Sequence, residues 1–208
     1  MRTKDLNNQS HWNTKWMAEG KDTWRKYHKI NAQELEFISN DSKLIDLGCG
    51  NGYFLGQVKE KKNNMVLMGL DISSVGIAQL NEFYGIPGMV SKLPEIPYPI
   101  EADSFDYVVM NELMEHVVDE KGLLNNAFRI CKSGGWIIVA VPENHSPEYK
   151  QFIEHEDSEH VRWYDKTKLF NCLNRLGTNT EIFDIDEEYQ VNGNKNTGKF
   201  YVARTQKK

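Results

Sequence analysis

The chain has 208 residues, 39% hydrophobic and 26% charged, enough to bury a sizeable core as one domain or one domain with an appendage. A formal charge of −5 with no long lysine or arginine block argues against a nucleic-acid binder, which needs a basic face. No apolar run approaches the roughly 20 residues that cross a bilayer. Cys49, Cys131 and Cys172 are odd in number and scattered. That pattern predicts free thiols in a reducing compartment. Residues 1–10 are polar, without the apolar stretch of a signal peptide, so the expected setting is the cytoplasm.

Residues 1–40 carry an unusual density of aromatics: Trp12, Trp16, Trp24, Tyr27 and Phe37. Trp12 and Trp16 are four apart and would share one face of a helix. Ile30, Leu35 and Ile38 could supply the apolar face of a following helix that ends near Asn40. This stretch reads as an N-terminal helical arm, either a lid over a ligand site or ordinary core packed on a sheet. Residues 41–208 form the main domain. An apolar run, Leu44 to Leu47, reads as a buried strand that empties into Gly48, Gly50 and Gly52, with helical character from Tyr53. Strand, glycine turn and helix N-terminus make a cradle in which a ligand lies against bare backbone. The spacing is Asp-x-Gly-x-Gly-x-Gly rather than Gly-x-Gly-x-x-Gly. A second apolar run, Met65 to Leu70, ends at Asp71, where a carboxylate can accept from both hydroxyls of a ribose.

Further strands are expected near 86–90, 105–110 and 135–141, with helices near 52–61, 73–83, 119–131 and 165–176. Ser73 is placed to cap the helix after Asp71. Alternation at this pace predicts an α/β fold with parallel strands and helices on both faces. The prolines of Leu93-Pro-Glu-Ile-Pro-Tyr-Pro99 require a loop. Thr180–Asp186 and Phe200–Arg204 are β-like and joined by a polar Asn/Gly-rich turn over 192–198, which predicts a closing antiparallel hairpin.

Four ordered landmarks give the chain its family likeness. Asp46, Gly48, Gly50 and Gly52 resemble the first cofactor motif of class I S-adenosylmethionine-dependent methyltransferases, and Asp71 resembles their ribose-binding acid. Ser104 to Val117 is similar to their fourth strand and the segment after it. Lys132-Ser-Gly-Gly-Trp-Ile-Ile-Val139 is similar to the turn into their fifth strand, with Ser133 in place of proline. The resemblance covers residues 40–205. It implies a Rossmann-like three-layer sandwich, a seven-stranded, mostly parallel sheet with an antiparallel last strand. It also implies S-adenosylmethionine as cofactor, held by Asp46, Gly48, Cys49, Gly50, Gly52, Asp71 and Ile72. Asn111 and Glu112 would face its sulfur side. The family's acid after the third strand is missing here, and Ser91 and Leu93 stand in its place.

For the chemistry, methyl transfer from a sulfonium mainly needs donor and acceptor aligned, and a general base only where the acceptor must lose a proton. His116, His145 and His160 are the candidate catalytic residues. Residues 154–164 resemble the His-x-Arg-aromatic element of small-molecule methyltransferases, which implies an acceptor-side loop with His160 and Arg162 as positioning groups. Trp12 and Trp16 of the arm, as a lid, would contact the methionine end or the acceptor. Arg25 and Lys26 could pair with a cofactor carboxylate. His155 and His160 sit in an acidic stretch that could bind a divalent ion, but no Cys/His pair has zinc spacing and no metal is expected. Asn111-Glu-Leu-Met replaces the Asn-Pro-Pro-Tyr of enzymes acting on planar nitrogens. The expectation is a methyltransferase for a small molecule, at oxygen before nitrogen or carbon, with no membrane partner and no implied oligomeric state. A non-catalytic cofactor-binding scaffold and a protein or tRNA methyltransferase are the alternatives.

Overall fold

The computed structural model describes residues 7–18, 28–95, 100–143, 159–191 and 194–208. Chain order sets up an α/β body behind two helices: α1 (Gln9–Ala18), α2 (His28–Phe37), β1 (Lys43–Leu47), α3 (Tyr53–Lys61), β2 (Val66–Asp71) and α4 (Ser74–Tyr84). Then come β3 (Gly88–Val90), β4 (Phe105–Asn111), α5 (Glu120–Ile130), β5 (Cys131–Pro142), α6 (Lys166–Asn174), β6 (Gly177–Val191) and β7 (Asn194–Lys207). Seven strands join in one sheet in the order β3-β2-β1-β4-β5-β7-β6. The first five are mutually parallel, and β7 runs antiparallel to both β5 and β6.

Central strands in such a sheet are covered on both faces and therefore read as continuous apolar runs. Leu44, Ile45 and Leu47 are fully buried, as are Val108, Val109 and Met110 on β4. One core cluster joins α5 and α6 to this sheet through Leu123, Leu124, Ala127, Leu169 and Leu173. The other joins α2 and α3 through Leu35, Ile38, Phe54, Leu55 and Val58. Helix starts are fixed locally. Ser73 accepts from the Gly76 amide, Asp119 from Gly122 and Asp165 from Lys168, each a side-chain cap.

The hairpin is longer than its sequence signal. Pairing continues outward through Glu188↔Thr197 to Val191↔Asn194, beyond the segments 180–186 and 200–204. A backbone ladder does not need apolar side chains to continue, so the polar composition hid its length. Chain order also reverses between β1 and β4, where β2 and β3 lie on one side and β4 and β5 on the other. A crevice opens beyond the carboxyl ends of the strands at such a switch point.

Candidate active site

The crevice is a cavity of about 350 Å³, within the range of small-molecule sites. Its floor is the glycine turn. Gly50 has φ +54 and a Cβ there would lie 2.1 Å from the Trp16 ring, so this position needs glycine for both conformation and space. Asp71 ties the turn to β2: one carboxylate oxygen accepts from the Gly50 amide at 2.8 Å and the other from Ser73 at 2.8 Å. Burial pushes this carboxyl up to about 6, against the pull of the two amides. Asp71 is therefore a strut of the turn that also lines the cavity.

Of the residues that sequence reading singled out for the cofactor, Asp46, Gly48, Cys49, Gly50, Asp71, Ile72, Ser91, Leu93, Asn111 and Glu112 all line this one cavity. Gly52, at φ +81, caps the start of α3 beside it. The Ser91 hydroxyl donates to the Glu95 carbonyl, and its amide to the Asp71 carbonyl at 2.8 Å, so it holds the loop after β3 in place. Cys49 is buried, and burial together with the nearby charges of Asp71 and Asp46 raises its thiol well above the ordinary range, which leaves it no nucleophile.

Trp12 and Trp16 also line the cavity, from α1. That helix is fastened across the mouth by polar contacts. The Asn13 side-chain oxygen accepts from the Ser73 hydroxyl at 2.7 Å, and Gln79 donates to the Trp16 carbonyl at 2.9 Å. On the other side Glu159 meets His11 at 2.7 Å and Lys15 at 2.8 Å.

His116 lies at the far end, buried, with Trp12 edge-on at 5.2 Å and His160 at 4.6 Å. Its Nδ1 is 3.2 Å from the Glu159 carbonyl. A carbonyl only accepts, so Nδ1 carries a proton there, and Nε2 lies 3.9 Å from a Glu115 carboxylate oxygen. His160 meets His116 edge-on from behind and is not among the cavity-lining residues. Glu115, His116 and His160 offer ligand atoms within 4.8 Å of one another and could hold a divalent ion. Arg162 stands outside the cavity wall. Its guanidinium donates to the carbonyls of Val117 and Val118 at 2.6 and 2.7 Å and pairs with Glu120 at 3.1 Å. It shapes the rim that Val117, Val118 and Asp119 contribute. His145, His155, Arg25, Lys26, Trp24 and Tyr27 lie outside the described residues.

Sequence reading missed Glu34. It is 1% exposed on α2, with one carboxylate oxygen accepting from the Asn111 amide group at 2.9 Å. The signal was present: Ile30, Glu34 and Ile38 are four apart, so the acid interrupts the buried stripe of its helix.

The donor set suits an adenosyl amino acid. Asp46 and Asn111 each keep a buried side-chain oxygen without a hydrogen-bond partner, and the Trp16 indole N–H is buried and unpartnered as well. Acceptors and a donor held apart from water in one cavity match a group carrying both an ammonium and a carboxylate.

A family model described as a methyltransferase domain matches residues 23–181. The chain belongs to this methyltransferase family. It is a member of the class I S-adenosylmethionine-dependent group, and the strand order, glycine turn and Asp71 are where that membership shows. A ubiquinone biosynthesis O-methyltransferase from Albidiferax ferrireducens is 27% identical over 152 residues, covering 66% of this chain and 56% of that protein. The Paracidovorax citrulli counterpart is 28% identical, covering 56% and 52%. The methyltransferase chain thus spans about half the length of these curated relatives. Among solved structures, an S-adenosylmethionine-dependent methyltransferase from Thermotoga maritima, described as a possible histamine N-methyltransferase, shares the fold. It matches with a TM-score of 0.68 and 17% identity over 89% of this chain and 91% of that one. A phosphoethanolamine N-methyltransferase from Haemonchus contortus, in complex with S-adenosyl-L-methionine, matches with a TM-score of 0.72 and 14% identity. It covers 97% of this chain and 59% of that one. Among the described residues no helix is long and apolar enough to cross a membrane.

Proposed function

We propose that this methyltransferase binds S-adenosylmethionine in the cavity and transfers its methyl group to an oxygen of a small-molecule acceptor. The observation that carries the reading is the single cavity reaching from the Gly50–Asp71 floor to His116 and Trp12. Asp71 would take the ribose, the loop of Ser91 and Leu93 the adenine side, and the ends of β1 and β4 the amino-acid end. This follows the sheet order β3-β2-β1-β4. When bound, S-adenosylmethionine supplies a methyl group on a good leaving group. The chain then has to align the acceptor and exclude water, and alignment is worth roughly 7–11 kcal/mol in favourable cases. Trp12 and Trp16 serve as the water-excluding wall. His116 Nε2 is the base for a hydroxyl proton, its tautomer set by the Glu159 carbonyl. Residues 1–40 are a cover for the site and 41–208 the catalytic domain.

Preference for oxygen rests on the names of the curated relatives and on Asn111-Glu-Leu-Met at the end of β4. The test begins with calorimetry of S-adenosylmethionine and S-adenosylhomocysteine, for which micromolar binding is expected. A screen of phenols and catechols against primary amines, read as S-adenosylhomocysteine formed, then decides the acceptor atom. Turnover with amines alone would overturn the oxygen reading.

A further inference from the structure

The arm places a buried acid, Glu34, directly behind the cavity wall, one hydrogen bond from the lining residue Asn111, and no cofactor motif contains it. Glu34 reaches the ends of β1 and β4 from α2, and its second oxygen has no hydrogen-bond partner. Asp46 and Asn111 each present a lone buried oxygen in the same place. Three acceptors therefore converge where the described residues provide no matching donor, and Asn111 spends its amide group on Glu34 itself. Buried acceptors left without donors are costly, so such a set is built for a cation that arrives with a ligand.

We propose that Asp46 and Asn111 seat the cofactor's α-ammonium with Glu34 directly behind them, and that the ligand's cation replaces a proton that Glu34 and Asp46 hold between them when the site is empty. This rests on the cofactor reading above. The surrounding charges support the exchange. Asp46 faces Glu34 from β1 and Asp71 adds its charge from β2, with the Cys49 thiol in the turn between them. From β6, the Glu187 carboxylate caps the N-terminus of α2. Cations near α2 turn elsewhere. Lys29 donates to the Asp186 carbonyl, and Arg204 lies over Phe37 and bonds Glu181. Burial pushes Glu34 up to about 8 against the Asn111 hydrogen bond, and burial followed by the charges of Glu34 and Asp71 raises Asp46. At neutral pH the pair thus holds a proton that a bound ammonium would expel. Affinity should accordingly rise with pH until the ligand's own amine titrates, near ~7.7–8.0.

The experiment is calorimetry in buffers of different ionisation enthalpy, which counts protons released. Two probes are used: S-adenosylhomocysteine, which has the amino-acid end, and 5′-methylthioadenosine, which lacks it. The inference requires about one proton released by the first near neutral pH and none by the second. Glu34→Gln should lose about ten- to a hundredfold in affinity for S-adenosylhomocysteine, release fewer protons, and bind 5′-methylthioadenosine as before. Equal proton counts for the two probes on the unaltered protein would overturn the inference without any variant. So would wild-type affinity and proton release in Glu34→Gln. If neither probe binds at all, the cofactor reading itself falls.

Discussion

The two helices of the arm are each ten residues long and adjacent in sequence, yet they are attached by different physics. α2 is sunk into the body: Ile30, Leu35 and Ile38 are buried, and two amides of its first turn donate to Glu187. α1 buries none of its residues and is held by side-chain hydrogen bonds and ion pairs. Pairs at a protein surface contribute modestly, with a median of about 0–1 kcal/mol, and those of α1 are partly exposed, with side chains 22–27% accessible. α1 can therefore leave the cavity mouth at modest cost while α2 cannot leave without unfolding the domain. In the proposed reading, a cover that admits a cofactor rests on the first kind of contact, and the acid held behind the site rests on the second.

The contrast is broken most severely by Ile38→Ala. Removing this fully buried side chain should cost about 2–5 kcal/mol of stability, seen as a fall in Tm, with cofactor affinity of the folded fraction unchanged. Gly50→Val should act on the other side of the comparison. A side chain at φ +54 would strike the Trp16 ring, lifting α1 and filling the turn. Binding of S-adenosylhomocysteine should weaken about a hundredfold or more while Tm falls less than in Ile38→Ala. Trp16→Phe keeps the ring and removes the buried indole N–H, so calorimetry should show a loss of about three- to tenfold with Tm unaltered.

The smallest effect belongs to Glu159→Gln, which cuts the fastening of α1 to His11 and Lys15 and should lower Tm by about 1–3 °C at neutral pH. Although burial opposes its charge, Lys15 and His11 hold the Glu159 carboxyl down at about 2. Its unfolded value is near ~4.3. The contribution is thus complete above that value and is lost as pH falls toward 2. The Tm difference between the two proteins should close over that window in a pH series.

Local rules made much of this molecule legible. An apolar run ending in alternating glycines fixes β1 and the cradle, and an acid at the end of β2 falls beside it because parallel neighbours align their carboxyl ends. Ser73 caps α4 as its type and position require. The spacing of four put Trp12 and Trp16 on one helix face, and the structure turns that face into the cavity rather than the core. What stayed hidden depends on contacts between distant segments. Nothing near Arg162 in sequence says that it grips the carbonyls of residues 117 and 118. Nor does anything near Asp71 say that both its oxygens are already taken by backbone amides. Glu34 is the intermediate case. Its misfit in an apolar stripe was visible, but its purpose needed Asn111 and Asp46 beside it.

The strand order β5-β7-β6 has a consequence for how the chain is made. A ribosome delivers α2 early and β6 and β7 late, and β7 must insert between β5 and β6. The carboxylate that caps α2 lies on β6. The second helix of the arm therefore waits for a hairpin made much later before it can settle. During translation the nascent chain would carry a finished glycine turn while the helix bearing Glu34 is still unanchored. Ligand binding then depends on a hairpin that is translated well after the helix it anchors.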